Sequence, residues 1–198
     1  MRLVLASQSA ARRAMLDAAG VEHEATAAHV DEDAAKATLA TEGRSPRDTA
    51  DALAELKAMR VSLRDPDALV LGCDSVVALD DGTILDKPAD RADAERHLRL
   101  LSGQCHRLYS AAVMVERGRA VWRAVDQAAL FVRPLSDAFI AEYLDAEWPA
   151  VGGCVGCYRL EGRGSQLFTR IEGSHFTILG LPLLQTLDYL RTRAVLTS

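Results

Sequence analysis

The stretch Arg2-Leu3-Val4-Leu5-Ala6-Ser7-Gln8-Ser9-Ala10-Ala11-Arg12-Arg13-Ala14-Met15-Leu16-Asp17-Ala18-Ala19-Gly20 decides the fold. Arg2–Ala6 is a short apolar run, and Ser7-Gln8-Ser9 ends it. Ala11–Ala19 then sets Ala14, Met15 and Ala18 at helical spacing, and Gly20 is a stop signal. Strand, turn and helix thus follow one another within twenty residues. Met1 to Arg13 begins like a signal peptide, but its apolar core, Leu3 to Ala6, is too short for one and a basic pair follows. The reading is a first strand in a cytosolic protein.

The same alternation continues outward. Val21–Val30 reads as a second extended piece, and Asp31, Glu32 and Asp33 as a solvated acidic loop. Ser45-Pro46 opens a helix with Ala50, Leu53, Ala54, Lys57 and Ala58 at helical spacing, and Arg64-Asp65-Pro66-Asp67 breaks it. Ala68–Gly72 suits a buried central strand. Cys73-Asp74-Ser75 interrupts it, and Val76–Leu79 resumes. Asp80–Thr83 carries an Asp-Gly hairpin signal. Asp90–Leu101 reads as a helix. Arg107–Glu116 and Ala120–Arg133 read as two strands joined by a hairpin at Arg117-Gly118-Arg119. Ser136 caps a helix to about Glu147. Gly152–Gly164 is irregular, Gln166–Ile171 strand-like, and Pro182–Arg193 a last helix with Leu183, Leu184, Leu187 and Leu190 facing the core. Alternating elements predict an α/β fold with a mixed sheet. With no repeat and no linker, one domain over residues 1–198 is expected, with two lobes around a cleft.

Composition narrows the function. The 198 residues are 49% hydrophobic, 26% charged and 5% aromatic, with a net charge of -5. That composition is globular, and a chain of this length buries a core without disulfide or metal. The acidic balance disfavours a nucleic-acid polymer as partner. No run of about 18 apolar residues predicts a membrane span. Four cysteines are few, and reduced thiols are the default. No Walker loop, no GxGxxG after a strand, no HExxH and no GxSxG is present.

Several constellations could carry chemistry. Ser7, Ser9, Arg12 and Arg13 sit at a helix start, where free N–H groups and the dipole favour an anion; they read either as a phosphate cradle or as a capped helix with solvated arginines. Asp74, at the end of a buried strand, where ligands bind in open α/β sheets, needs a partner or a metal, and it reads either as functional or as a structural cap. Lys87 reads as a surface lysine or a phosphate ligand. Cys154-x-x-Cys157 lacks the second ligand pair of a zinc site and reads as small residues at a tight place. The five histidines show no ligand spacing. Together, Arg12, Arg13, Lys57 and Lys87 suit a polyphosphate, while Glu32 and Asp74 suit a divalent metal and an activated water.

LASQSAARRAML at residues 5–16 resembles the opening LASxSPRRxxLL motif of the Maf family, nucleoside triphosphate pyrophosphatases first named as septum-formation inhibitors. The similarity continues in order through Val30-Asp31-Glu32, Leu56-Lys57-Ala58, Gly72-Cys73-Asp74-Ser75-Val76-Val77, Asp86-Lys87-Pro88, Leu101-Ser102-Gly103-Gln104-Cys105-His106, Arg170-Ile171-Glu172-Gly173-Ser174 and Leu179-Gly180-Leu181-Pro182-Leu183. The resemblance implies an elongated α/β domain with a central mixed sheet and a cleft between two lobes. It implies hydrolysis of a nucleoside triphosphate between the α and β phosphates, with Mg²⁺ or Mn²⁺ as cofactor. It makes Asp74 the catalytic carboxylate, assigns Ser7, Arg12, Lys57 and Lys87 to the phosphates, and assigns Glu32 with Asp74 to the metal; Ser9 and Arg13 join the phosphate group from their place at the helix start. A homodimer is the family expectation.

Within the family, Tyr158-Arg159-Leu160-Glu161-Gly162-Arg163-Gly164 is similar to the branch acting on 7-methyl-GTP rather than to the branch acting on dTTP and UTP, which has Gln in this element. Glu161 can accept two hydrogen bonds from guanine and favours a cationic base, whereas a pyrimidine offers one donor and repelling carbonyls. Four positions depart from the family, the first being Ala10, which with Ala11 replaces the Pro-Arg of the pyrimidine branch. Ala11 stands where the 7-methyl-GTP branch has Trp, Ser75 replaces Thr or Gln, and Cys154 replaces a Lys of the pyrimidine branch. The rival readings are a dTTP/UTP pyrophosphatase, a non-catalytic nucleotide-binding regulator of division, and a phosphate-ester hydrolase releasing inorganic phosphate.

Overall fold

The computed structural model describes residues 1–197. In chain order the elements are β1 (Leu3–Leu5), α1 (Ala10–Ala18), β2 (Glu24–Ala25), α2 (Glu32–Thr41), α3 (Pro46–Ser62), β3 (Leu69–Leu79), β4 (Ile84–Leu85), α4 (Arg91–Leu101), β5 (Cys105–Glu116), β6 (Arg119–Val132), α5 (Asp137–Glu147), β7 (Phe168–Glu172), α6 (His175–Ile178) and α7 (Leu183–Thr192). Seven strands form one sheet: six run in the order β2-β1-β3-β5-β6-β7, and β4 joins it by pairing with β3. β1 runs parallel to β2 and β3, while β3–β4 and β6–β7 are antiparallel, so the sheet is mixed. The chain packs as two compact units. One holds Met1–Ser75, Tyr109–Asp126 and the chain from His175; the other holds Val76–Leu108 and Gln127–Ser174.

In the first unit, Leu3 and Leu5 of β1, Leu69, Leu71 and Cys73 of β3, and Ala112 and Met114 of β5 bury one face of the sheet. They pack against Met15 and Leu16 of α1 and Leu183 and Leu190 of α7. Each fully buried leucine contributes roughly 1.5–3 kcal/mol. The opposite face of β3, at Val70, Gly72 and Asp74, meets α3. Gly72 is the contact point: a Cβ there would lie 2.1 Å from the Ala54 carbonyl oxygen and 2.8 Å from Ala58 Cβ. Only a residue without a side chain lets the helix come this close. Lys57, between those two alanines, is thereby held beside Asp74, two residues along the same strand face. Gly72→Ala is therefore expected to lower unfolding stability by about 3 kcal/mol, the upper end of overpacking costs, because the obstacle is backbone. Chemical denaturation measures this, and an unchanged midpoint contradicts the close packing.

In the second unit, Asp90 caps α4 by accepting from Asp93 N at 2.8 Å. His106 of β5 is fully buried, its Nε2 2.9 Å from the Tyr158 hydroxyl, with Phe168 closing the aromatic cluster. Burial lowers the His106 pKa to about 4. An unfolded histidine titrates near 6.5. The native state thus holds this ring neutral, and its contribution is complete above pH 6.5 and lost as pH falls through 4. At 1.36 kcal/mol per unit the loss is about 3 kcal/mol. His106→Leu is expected to flatten the stability profile between pH 6.5 and 4, read by thermal melts. An equally steep profile in the variant contradicts this account.

Four expectations are corrected. The strand does not break at Cys73-Asp74-Ser75: β3 is continuous from Leu69 to Leu79, because the Asp74 charge is met by Lys57 and the backbone pairing continues. The acidic run is no loop. Asp31 caps α2 by accepting from Ala34 N at 3.0 Å, and Glu32 and Asp33 form its first turn. That helix buries no residue, so no apolar stripe announced it. The extended piece over 21–30 contracts to a two-residue strand. Finally, Leu184 is 63% exposed; α7 buries Leu183, Thr186 and Leu190 instead, and the Thr186 hydroxyl is satisfied by donating to the Pro182 carbonyl. No helix among the described residues is long and apolar enough to cross a membrane.

Candidate active site

The turn between β1 and α1 places Ser7 and Ser9 side by side. Ser7 Oγ accepts from Ser9 N at 3.2 Å, and Ser9 Oγ caps α1 by accepting from Arg12 N at 3.4 Å. Both hydroxyls are used here as acceptors, so their protons remain available to an anion at the helix start. Arg13 is exposed, and its guanidinium has no partner among the described residues. Arg12 points the other way. Its Nε donates to the Gly180 carbonyl at 2.8 Å, one terminal nitrogen to the Cys73 carbonyl at 3.1 Å and Ser7 Oγ at 3.3 Å, and the other to Ser75 Oγ at 3.0 Å.

Asp74 is 5% exposed and Lys57 8% exposed. Lys57 Nζ lies 2.5 Å from Asp74 Oδ1 and 2.8 Å from Glu32 Oε1. The ammonium thus bridges a strand carboxylate and a carboxylate at the first turn of α2. The cluster is held by charge-assisted hydrogen bonds, with Asp74 and Lys57 buried and Glu32 half-buried. An ammonium is a mobile point charge on a flexible stem, able to exchange a carboxylate for a phosphate.

The donor set also bears on a divalent metal. Glu32 and Asp74 offer hard carboxylate oxygens. Mg²⁺ ordinarily takes one or two carboxylates and completes its shell with water and substrate phosphates, so these two residues fit it. No group of three His, Cys, Asp or Glu side chains among the described residues is arranged to hold a metal through protein ligands alone.

Sequence reasoning grouped nine residues. The first unit brings together Ser7, Ser9, Arg12, Lys57, Asp74 and Glu32, with Arg13 on the same helix start. Lys87 and Glu161 belong to the second unit. Both are exposed, and both act electrostatically on the Cys154 thiol, whose pKa is raised mainly by burial and further by the Glu161 charge. Arg159, beside Glu161, donates to the buried Glu147 carboxylate at 2.9 Å. All four cysteines are free. Cys157 sits at positive φ after Gly156 in a pair of short 3-10 turns, with Sγ 3.6 Å from His97 Nδ1. Burial pushes its thiol up to about 12, so it is a packed, unreactive group.

The sequence reading missed a polar chain behind Asp74. Ser75 Oγ is 2.9 Å from Ser110 Oγ, Ser110 donates to the Thr177 carbonyl at 2.7 Å, and Thr177 Oγ1 donates to Asp126 Oδ2 at 2.6 Å. Its members are 35, 67 and 51 residues apart, and no local spacing signals such a contact.

Comparison with known proteins bears on this site. The profile of the family described as Maf-like protein matches residues 2–193. A nucleoside triphosphate pyrophosphatase from Sphingopyxis alaskensis is 52% identical over 191 residues, covering 96% of each chain. Nucleoside triphosphate pyrophosphatase 1 from Jannaschia sp. is 53% identical over 194 residues, 98% of each chain. A nucleoside triphosphate pyrophosphatase from Caulobacter vibrioides is 49% identical, covering 98% of this chain and 97% of that one. Among solved structures, a nucleoside-triphosphatase (dITP/XTP pyrophosphatase) from Mycobacterium abscessus aligns with a TM-score of 0.46 and 15% identity, covering 98% and 96% of the two chains.

Proposed function

Because the chain belongs to the Maf-like family, we propose that it hydrolyses a nucleoside triphosphate between the α and β phosphates, with a purine, 7-methyl-GTP in particular, as substrate. The name nucleoside triphosphate pyrophosphatase, carried by relatives that are about half identical over the full match, supports the activity, and the chain is a hydrolase. The observation that carries the chemistry is the buried Asp74 carboxylate, 2.5 Å from an ammonium that a triphosphate can claim.

The residues divide the work. The hydroxyl protons of Ser7 and Ser9, the helix N–H groups and Arg13 receive phosphate oxygens. Lys57 moves part of its bonding from the carboxylates to the phosphates, which frees an Asp74 oxygen. That oxygen takes the proton of the attacking water as its oxygen bonds to phosphorus, and the bridging oxygen leaves with pyrophosphate. Positioning and charge neutralisation carry most of such a reaction. Asp74 and Glu32 would hold Mg²⁺ or Mn²⁺, which when bound neutralises phosphate charge and makes water more acidic. The assignments of Lys87 to the phosphates and Glu161 to the base, and the homodimer, rest on the motif resemblance.

Pyrophosphate release from 7-methyl-GTP, GTP, dTTP, UTP and CTP, with Mg²⁺ or Mn²⁺, tests the substrate. Selective release from 7-methyl-GTP is expected, and Glu161→Gln is expected to reduce the preference for guanine over pyrimidine nucleotides about tenfold, the worth of one charge-assisted hydrogen bond. A wild-type preference for dTTP or UTP overturns the purine assignment, and an unchanged profile in the variant removes Glu161 as the base reader.

A further inference from the structure

Arg12 stands next to Arg13 at the start of α1, but its donors are differently engaged. A guanidinium carries five N–H groups. Four of those of Arg12 are committed within the protein, to the Gly180 and Cys73 carbonyls and to the hydroxyl oxygens of Ser7 and Ser75. One N–H remains. A two-point fork against a phosphate would require breaking a bond the protein already makes.

The acceptors have a common feature. The Cys73 carbonyl and the Ser75 hydroxyl flank Asp74 on both sides along β3, while Gly180 lies in the turn between α6 and α7. Gly180 has a φ of +101°, and a Cβ there would stand 3.1 Å from both Arg12 Nε and Ser75 Oγ, so the turn is shaped to admit the guanidinium. The direction of the hydrogen bonds behind Ser75 follows from counting protons. Ser110 gives its one hydroxyl proton to the Thr177 carbonyl, so in the Ser75–Ser110 pair Ser75 must be the donor. The lone pairs of Ser75 are then turned to Arg12. The chain Arg12 → Ser75 → Ser110 → Thr177 carbonyl runs one way, and the Thr177 hydroxyl on Asp126 anchors its end.

We infer that Arg12 is a positioning residue rather than a phosphate ligand, and that Ser75 and Ser110 orient it, so that the backbone on either side of Asp74 is fixed while Lys57 holds the carboxylate. This rests on the reading of Asp74 as the catalytic carboxylate. A misplacement of about 1 Å in a reacting group can cost on the order of a hundredfold in rate.

The test pairs steady-state kinetics with calorimetric binding of tripolyphosphate, a probe that requires no turnover. Arg12→Lys keeps the charge but loses the fork, and Ser75→Ala removes the acceptor. Both are expected to lower kcat 10- to 100-fold with KM within about twofold. Ser75→Thr, which keeps the hydroxyl, is expected to recover most of the loss. Tripolyphosphate affinity is expected to hold within about twofold in Arg12→Lys and to fall about tenfold in Arg13→Ala. The inference is overturned by a tenfold weaker affinity in Arg12→Lys, or by a wild-type kcat in Ser75→Ala. A wild-type chain that releases no pyrophosphate overturns the proposed function instead, and the affinities of the two arginine variants still decide the role of Arg12.

Discussion

Asp74→Asn is expected to lower kcat for pyrophosphate release by about 10³-fold, within the range a positioned proton acceptor supplies. Asparagine has the same shape and still accepts a hydrogen bond from Lys57, so the pocket keeps its packing. It cannot take a proton from water. Nucleotide binding should change little, since Ser7, Ser9 and Arg13 are untouched, and the loss of one carboxylate near the phosphates should tighten it slightly. The Lys57 ammonium keeps Glu32 at 2.8 Å as its counter-charge, so a stability loss of only about 1–2 kcal/mol follows. The measurement is kcat and KM for pyrophosphate release beside a thermal melt. Full turnover in the variant removes Asp74 from the chemistry.

The second large effect is at Lys57. Lys57→Met preserves the length of the stem packed between α3 and β3 but leaves Asp74 and Glu32 without the cation that joins them. Removing one partner of a buried ion pair typically costs about 3–5 kcal/mol, and here Asp74 is the buried partner. Turnover should fall with stability, because the same ammonium is assigned to the phosphates. The double variant Lys57→Met with Asp74→Asn separates the causes. With one carboxylate neutralised, the stability cost of losing Lys57 should shrink by about 2 kcal/mol, while turnover stays lost. Urea denaturation of the four proteins gives this coupling directly. Additive losses contradict a pairwise interaction between Lys57 and Asp74.

Much of the fold was legible because its signals are local. Ser9, Ser45, Asp90 and Ser136 each cap a helix where the sequence placed a helix start, and the Asp-Gly turn before β4 is where the hairpin signal stood. The face of α3 was read correctly down to Lys57, which is buried with Ala50, Leu53, Ala54 and Ala58. Errors arose where a local rule met a tertiary partner. A strand reading breaks at an aspartate unless something neutralises it, and the neutralising lysine is 17 residues upstream. The α2 helix has a capping aspartate but no apolar face, so periodicity is silent there. Leu184 looks like core by type, yet Thr186 takes the buried position because its hydroxyl bonds within its own helix.

The site divides in the same way. Residue types and motif order pointed to Ser7, Lys57, Asp74 and Glu32, which lie in one compact unit, with Lys57 on both carboxylates. The different surroundings of Arg12 and Arg13 were not legible, because two adjacent arginines look alike in sequence. They differ only in what surrounds them, and on a helix neighbouring residues point about 100° apart. Gly72 and Gly180 illustrate the same limit. Each is a glycine among many, and only the backbone or guanidinium lying against it shows why a side chain would not fit.

The most direct measurement is the identity of the phosphorus products released by the wild-type protein from 7-methyl-GTP and GTP with Mg²⁺, followed by ³¹P NMR. Cleavage between the α and β phosphates predicts a nucleoside monophosphate and pyrophosphate appearing together from the first time point. A nucleoside diphosphate with inorganic phosphate, or an unaltered triphosphate, contradicts the account.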